Sequence, residues 1–437
     1  MNVREIFLHH ALGVTPKALK TVVSNTHIQT TGENFMKKSL IAVALLGTFA
    51  ASAFAAPSVT LYGRIDTGLA YTHQHWSADG AGEDSEYLYT LKYKESEDSL
   101  SMQSGFSTGN RWGLTGTEDI GNAKVGFVLE SGFNSDDGTS GQGGRLFGRE
   151  AQVNVSGAYG TLYAGRLGSI NSDNGTLGYL GDVSAFPSGF GFVGTQSGST
   201  GTAYGRYDNV LAYQTPVFSG LQAAVMYSFK ADSKTDTTSR ENSSFADRYA
   251  AAGLRYKAGK AAVVLAADYT LYSNKTNPDL DDGYSVILGG NYDFGAAKVF
   301  VKATYFDNQA SITDSFEIID AVRELAAEDD LAVARAFKGW GVELGTNVPA
   351  FGGNFIATVG YRDAKDSENS AIKLKRWNAA VGYSYAFSKR TSIYAAAGYA
   401  QEKGTGHGVV EDLDLNITSA SIKGSGAQAG FGLVHKF

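Results

Sequence analysis

Charged side chains that alternate with apolar ones along extended segments can line a water-filled passage and sort ions, and this sequence carries such a set. Arg64 and Asp66 alternate with Val59, Leu61 and Ile65; Arg111 stands opposite Trp112 and Leu114; Glu130 stands opposite Val125, Phe127 and Leu129. Arg206 and Asp208 share the polar face of their own segment. Arg166 has the parity of Leu162 and Ala164, and Arg149 is ambiguous in the same way. Other chemistry finds little support. There is no cysteine and no G-x-S-x-G elbow. His73, His75, His407 and His435 are scattered without a ligand pattern. Gly189–Gly194 matches G-x-G-x-x-G but lacks the strand before it and the helix after it that a dinucleotide site needs, so no cofactor is expected.

The elements that must position these residues have a period of two. Sixteen segments read as strands: about 58–71, 111–118, 124–133, 145–157, 160–168, 205–215, 220–230, 247–257, 260–272, 283–294, 297–307, 338–348, 354–363, 375–387, 390–401 and 424–437. Each is near the ten or so residues that cross a bilayer at a tilt, and the connections alternate short and long. This predicts an all-β fold, a 16-stranded antiparallel transmembrane barrel with its polar face toward water. Residues 72–103 are polar and read as a long loop. Asp314 and Glu317 form a capping-box pattern, so 315–337 reads as a helix or helix pair inserted in an external loop.

One connection stands apart. Ser169 to Tyr204 holds eight glycines, no lysine or arginine, and two acids, Asp173 and Asp182. Leu177, Tyr179, Leu180, Phe186, Phe190 and Phe192 give it too much apolar surface for a solvated linker. It is expected to fold into the lumen and narrow it.

Composition agrees. Met36-Lys-Lys-Ser, the apolar run to Ala51 and Ala53-Phe-Ala55 make a secretory signal over 36–55, which leaves 56–437 as the barrel. Residues 1–35 precede a complete signal; a start codon assigned too early or a cytoplasmic extension would each explain them. Residues 1–55 hold five basic and two acidic side chains of the chain's 37 and 44, so the remainder carries −10. An acidic exported chain is a poor nucleic-acid binder. The terminal Phe437, with Phe431 and Leu433 on its face, resembles the C-terminal signal read by the outer-membrane assembly machinery.

Val59-Thr-Leu-Tyr-Gly-Arg64, Arg111-Trp-Gly-Leu-Thr-Gly-Thr-Glu-Asp-Ile-Gly121, Leu146-Phe-Gly-Arg149, Tyr159-Gly-Thr-Leu-Tyr-Ala-Gly-Arg166 and Arg206-Tyr-Asp-Asn-Val210 resemble the general porins of β-proteobacteria. The resemblance implies a sixteen-stranded barrel, usually a homotrimer in outer-membrane lipid, whose third external loop folds inward. It also implies passive diffusion of small hydrophilic solutes and ions. Lumen placement of Arg166 rests on it, with a bulge as the local means. The expected constriction set is Arg64, Asp66, Arg111, Glu130, Arg166, Asp173, Asp182, Arg206 and Asp208. The loop lacks an acidic-aromatic motif found in many such porins, and 308–337 is an unusual insertion. A solute-specific channel, an adhesin or a barrel enzyme are the other readings.

Overall fold

The computed structural model describes residues 58–83, 88–173, 175–186, 190, 205–275, 280–319, 336–410 and 415–437. The signal at 36–55, the segment 1–35, the G-x-G-x-x-G stretch apart from Phe190, and residues 320–335 of the 308–337 insertion lie outside them.

Seventeen antiparallel strands form one sheet among the described residues. They are β1 (Ser58–Glu83), β2 (Leu88–Ser104), β3 (Arg111–Asp119), β4 (Lys124–Gly132), β5 (Glu150–Gly157), β6 (Gly160–Gly168), β7 (Arg206–Gln214), β8 (Leu221–Ser228) and β9 (Arg248–Ala258). The chain continues with β10 (Ala261–Leu271), β11 (Gly283–Asp293), β12 (Lys298–Gln309), β13 (Phe337–Ala350), β14 (Gly353–Asp366), β15 (Lys373–Ala386), β16 (Thr391–Val410) and β17 (Leu415–Lys436). β17 pairs with β1 from Arg64↔Lys436 to Glu83↔Asn416, which closes the barrel. A strand has only two edges, and β17 takes one along this whole length. β2 and β3 therefore share the other: β2 pairs with upper β1 from Thr67↔Ser104 to Glu83↔Leu88, and β3 pairs with it below. The barrel thus has sixteen staves, as expected.

The expected loop at 72–103 is a correction: it is the tall β1–β2 hairpin. It escapes the period-two signal because above the bilayer neither face needs to be apolar. His73 and His75 pair across it with Asp98 and Ser96.

Connections at one end are tight turns of two to six residues, between β3 and β4, β5 and β6, and so on round to β15 and β16. The chain end lies there too, where Phe437 exchanges backbone hydrogen bonds with Gly63 and its ring fills the space a Gly63 side chain would need. By the rule for bacterial barrels this end is periplasmic and the long loops are external. The outer face is apolar, with Leu265, Leu288, Val301, Leu344, Val359 and Val381 all exposed. Two tiers of aromatic contacts bound it: Tyr284–Tyr305, Trp340–Tyr361 and Trp377–Tyr399 above, Tyr292–Phe294, Phe355–Tyr383 and Tyr385–Phe387 below. Such girdles sit at the two lipid–water interfaces.

The described part of the third external loop (L3), residues 169–173, 175–186 and 190, enters the lumen. Leu177, Tyr179, Leu180 and Val183 are fully buried in one apolar cluster with Val210, Met226, Tyr249, Val264 and Ile287 of the wall. Farther along, Phe186 and Phe190 pack edge-on to each other, and Phe190 packs edge-on to Phe106 and Tyr394 on the opposite side. Burying a large apolar side chain contributes about 1.5–3 kcal/mol. That offsets a backbone ordering cost of about 1–2 kcal/mol per residue only where such anchors are dense, as they are here.

Candidate functional site: the lumen waist

Where L3 leaves β6, the wall of β1 to β7 is crowded with guanidinium groups. Arg64 donates to Thr108 Oγ1 at 2.7 Å, and Arg111 donates to the Gly109 carbonyl at 3.1 Å. Glu130 collects three partners: Arg149 at 2.6 Å, Arg111 at 3.7 Å and the Tyr62 hydroxyl at 3.0 Å. Arg149 lies within Coulombic reach of Arg64, Arg111 and Arg206. Asp208 joins Arg166 at 2.5 Å and Arg145 at 3.0 Å. Arg145 also reaches Asp232 in the loop after β8.

Arg166 gets there through a bulge. The β6–β7 register shifts between Gly165 and Leu167, and Gly165 sits at φ +134°, a backbone conformation glycine alone adopts readily. The shift turns Arg166 off the face its parity gives and onto Asp208.

The acids of the expected set divide. Glu130 and Asp208 lie among the arginines. Asp66 shares the lumen parity but is fully buried, accepting the N–H groups of Ser107 and Thr108 and the hydroxyl of Tyr394, so it anchors the turn after β2. Asp173 stays within L3 beside Gly181. Asp182 is held on the far wall by Arg255 at 3.4 Å and Lys257 at 2.7 Å. L3 therefore does not present Asp182 to the arginine wall. Sequence reading missed Glu150, which accepts the backbone N–H and hydroxyl of Thr176 and so ties L3 to β5. It missed Arg145 as well. Arg255 was visible on the polar face of its strand, but nothing local linked it to Asp182.

A second loop also turns inward. The stem of the 310–336 connection (L6) buries Ile312, Phe316 and Ile318. Phe316 and Ile318 press on Gly424 of β17, and the Phe316 carbonyl accepts from the Trp76 indole. Arg362 and Arg376, each about 1% exposed, clasp Glu402 at 3.4 and 2.7 Å. Arg362 also donates to the Thr313 carbonyl, Arg376 to the Ser315 hydroxyl, and Glu402 accepts the Ser315 N–H. The expected capping box is half realised. Asp314 accepts the N–H groups of Phe316, Ile318 and Ile319, while Glu317 sits at φ +55°, outside helical geometry. Phe337 belongs to β13 rather than to a helix.

Burial, reinforced by the Glu402 charge, pushes the Asp314 carboxyl up to about 7. Released to water, its pKa falls to about 3.9. Docked L6 thus holds a proton between these values that the released loop does not, so docking is strongest in acid and weakens as pH rises through about 7. Hydrogen-exchange protection at residues 312–319, taken relative to the intrinsic rate at each pH, is expected to rise on acidification from pH 8 to pH 5, and Asp314→Asn to remove most of that dependence.

A closed barrel with an apolar girdled exterior, a charged lumen and an inward loop defines an outer-membrane diffusion channel. The chain belongs to the Gram-negative porin family, whose family model matches residues 42–405. It is 36% identical over 382 residues to an outer membrane porin protein of Bordetella pertussis, covering 84% of this chain and 94% of that one. It is 29% identical over 402 residues to outer membrane porin protein 32 of Delftia acidovorans, covering 90% and 96%. Among solved structures, an anion-selective porin from Comamonas acidovorans shares the fold at a TM-score of 0.56 and 23% identity, over 87% of this chain and all of that one. The protein is a porin of the Gram-negative outer membrane that passes small hydrophilic solutes by diffusion.

Proposed function

We propose that the pore prefers anions weakly and that the arginine wall sets this preference. The observation that carries it is the clustering of Arg64, Arg111, Arg149, Arg166 and Arg206 around fewer acids on their wall among the described residues: Glu130, Glu150, Asp208 and the fully buried Asp66. The overall −10 charge argues the other way. Its external part is solvated, however, and salt screens exposed charges beyond about 8–10 Å. Groups at a narrow waist act at shorter range beside a low-dielectric wall. The anion selectivity of the Comamonas acidovorans porin of the same fold is in keeping with this reading. Reversal potentials across a salt gradient test it, and a clear cation preference in the native channel would overturn it.

The same reading includes a homotrimer. The paired girdle aromatics fall on β11 to β16, where anchoring in lipid calls for them. The outer face of β1, β2, β5 and β6 is mainly aliphatic, with Val59, Leu61, Ile65, Leu100, Met102, Val153 and Leu162 exposed. That face suits contact with a second copy. Native mass measurement in mild detergent is expected to return three chains, and Leu61→Arg with Ile65→Arg to shift the population to monomer. Phe437, seated over Gly63, is proposed as the assembly signal; Phe437→Ala is expected to slow insertion while leaving the sequence of strands intact.

A further inference from the structure

L3 does not lie on the barrel wall at random. Its described residues pass in order over four lumen-facing glycines on alternate strands: Gly253 of β9, Gly289 of β11, Gly345 of β13 and Gly382 of β15. A Cβ at Gly253 would stand 2.6 Å from Ile170 and 3.1 Å from Tyr179; at Gly289, 2.7 Å from Val183; at Gly345, 2.5 Å from Ala185; at Gly382, 3.2 Å from Phe186. Carbon atoms in ordinary contact stand about 3.5–4.0 Å apart. None of the four has a positive φ, so the backbone itself accepts any residue there. Glycine in a strand interior costs stability through entropy and lost packing, and it marks a place where something approaches closely. What approaches is L3. Polar ties lock it at the same level. Lys302 donates to the Ser184 hydroxyl at 3.1 Å, and Asn291 donates to the Asp182 carbonyl.

We propose that this glycine track sets the bore of the pore. The four wall residues face L3 from behind and recess it into the barrel, so that the sieve is sized by residues on the side of the loop away from the solute. They are positioning residues. Any side chain added there has two outcomes: the loop moves toward the pore axis by up to about 1 Å, given the contact distances above, or the wall gives way outward. The polar ties and the closed hydrogen-bonded sheet favour the first, because a barrel has no free edge along which to relax.

The test uses the full-length protein in planar bilayers and in liposomes swollen with sugars of increasing size. Gly289→Ala is expected to lower single-channel conductance by about 1.3-fold and Gly289→Val by about twofold, with a lower size cut-off, as narrowing a pore requires. Gly290→Ala, on the next residue but facing outward, where a Cβ meets only ordinary contacts with the Ala262 carbonyl at 3.4 Å and Val263 at 3.9 Å, is expected to leave both unchanged. The decisive variant combines Gly289→Val with Val183→Gly, which clears the atoms the new side chain would meet; conductance is expected to return to the native value. An unchanged conductance in Gly289→Val, or a fall that Val183→Gly does not restore, would overturn the proposal. If Gly289→Val does not fold, the pair Gly345→Ala and Gly345→Ala with Ala185→Gly reads the same thing. The proposal concerns size, and reversal potentials report charge separately, so failure of the anion reading leaves this result untouched.

Discussion

Replacing Arg111 by alanine is expected to shift the reversal potential of the open channel toward cations. The substitution is clean. Glu130 keeps Arg149 at 2.6 Å and the Tyr62 hydroxyl, so no acid is left without a partner. A unit charge 6 Å from an ion in bulk water contributes about 0.7 kcal/mol, and salt reduces this by roughly half. Each ion's occupancy at the waist then changes about 1.8-fold, in opposite directions for anion and cation, so their ratio shifts about threefold. Lys234→Ala, in the external loop after β8, is the control and is expected to do little. A native cation preference that Arg111→Ala leaves unchanged would show that the loop acids govern selectivity.

A larger structural effect is expected from Glu402→Ala. This carboxylate bonds to both Arg362 and Arg376, and all three side chains are buried. Removing one member of a buried charge set costs about 3–5 kcal/mol, because the remaining guanidinium groups lose a buried counter-charge. The cheapest relief is to let water in. L6 loses its Ser315–Glu402 bond and its seat on Gly424, and the external mouth opens. Conductance is expected to rise and protease cleavage within 311–319 to appear, while heat-resistant migration of the barrel persists. Glu402→Gln, which keeps the shape and the acceptor, is expected to fall between. Loss of the folded barrel in both variants would mean that the cluster braces the strands rather than the loop.

The wall of the barrel was legible in the sequence because lipid demands one apolar face. Where that demand ends, so does the signal. In Lys92-Tyr-Lys-Glu-Ser-Glu-Asp-Ser99 both faces meet water, and a well-paired strand reads as a loop. The arginines were found by parity, and Arg166 escaped parity because a single bulge reverses it. Parity also cannot say what covers a residue. Asp66 has the same lumen parity as Arg64, yet a turn closes over it. The partners of Asp182 and Glu150 come from strands and loops dozens of residues away, and only the closed sheet brings them together. The glycines under L3 were visible as letters, but their meaning needs the loop laid over them.

The β1–β17 seam sets the order in which this chain can assemble. Every other neighbouring pair of staves closes a local connection. The seam alone joins residues as far apart as Arg64 and Lys436. Closing that span from an open chain costs about 3 kcal/mol more in loop entropy than closing a ten-residue turn. The hairpins must therefore form first and shorten the path between the ends, after which the seam zips as a single late event. Its twenty paired positions, against seven in the β4–β5 ladder, supply the cooperativity that a contact without local help requires. A circular permutant with its ends placed in the two-residue turn at Phe351-Gly352 moves the late step to the β13–β14 ladder, and its closure rate reports how much of the kinetic barrier belongs to the seam.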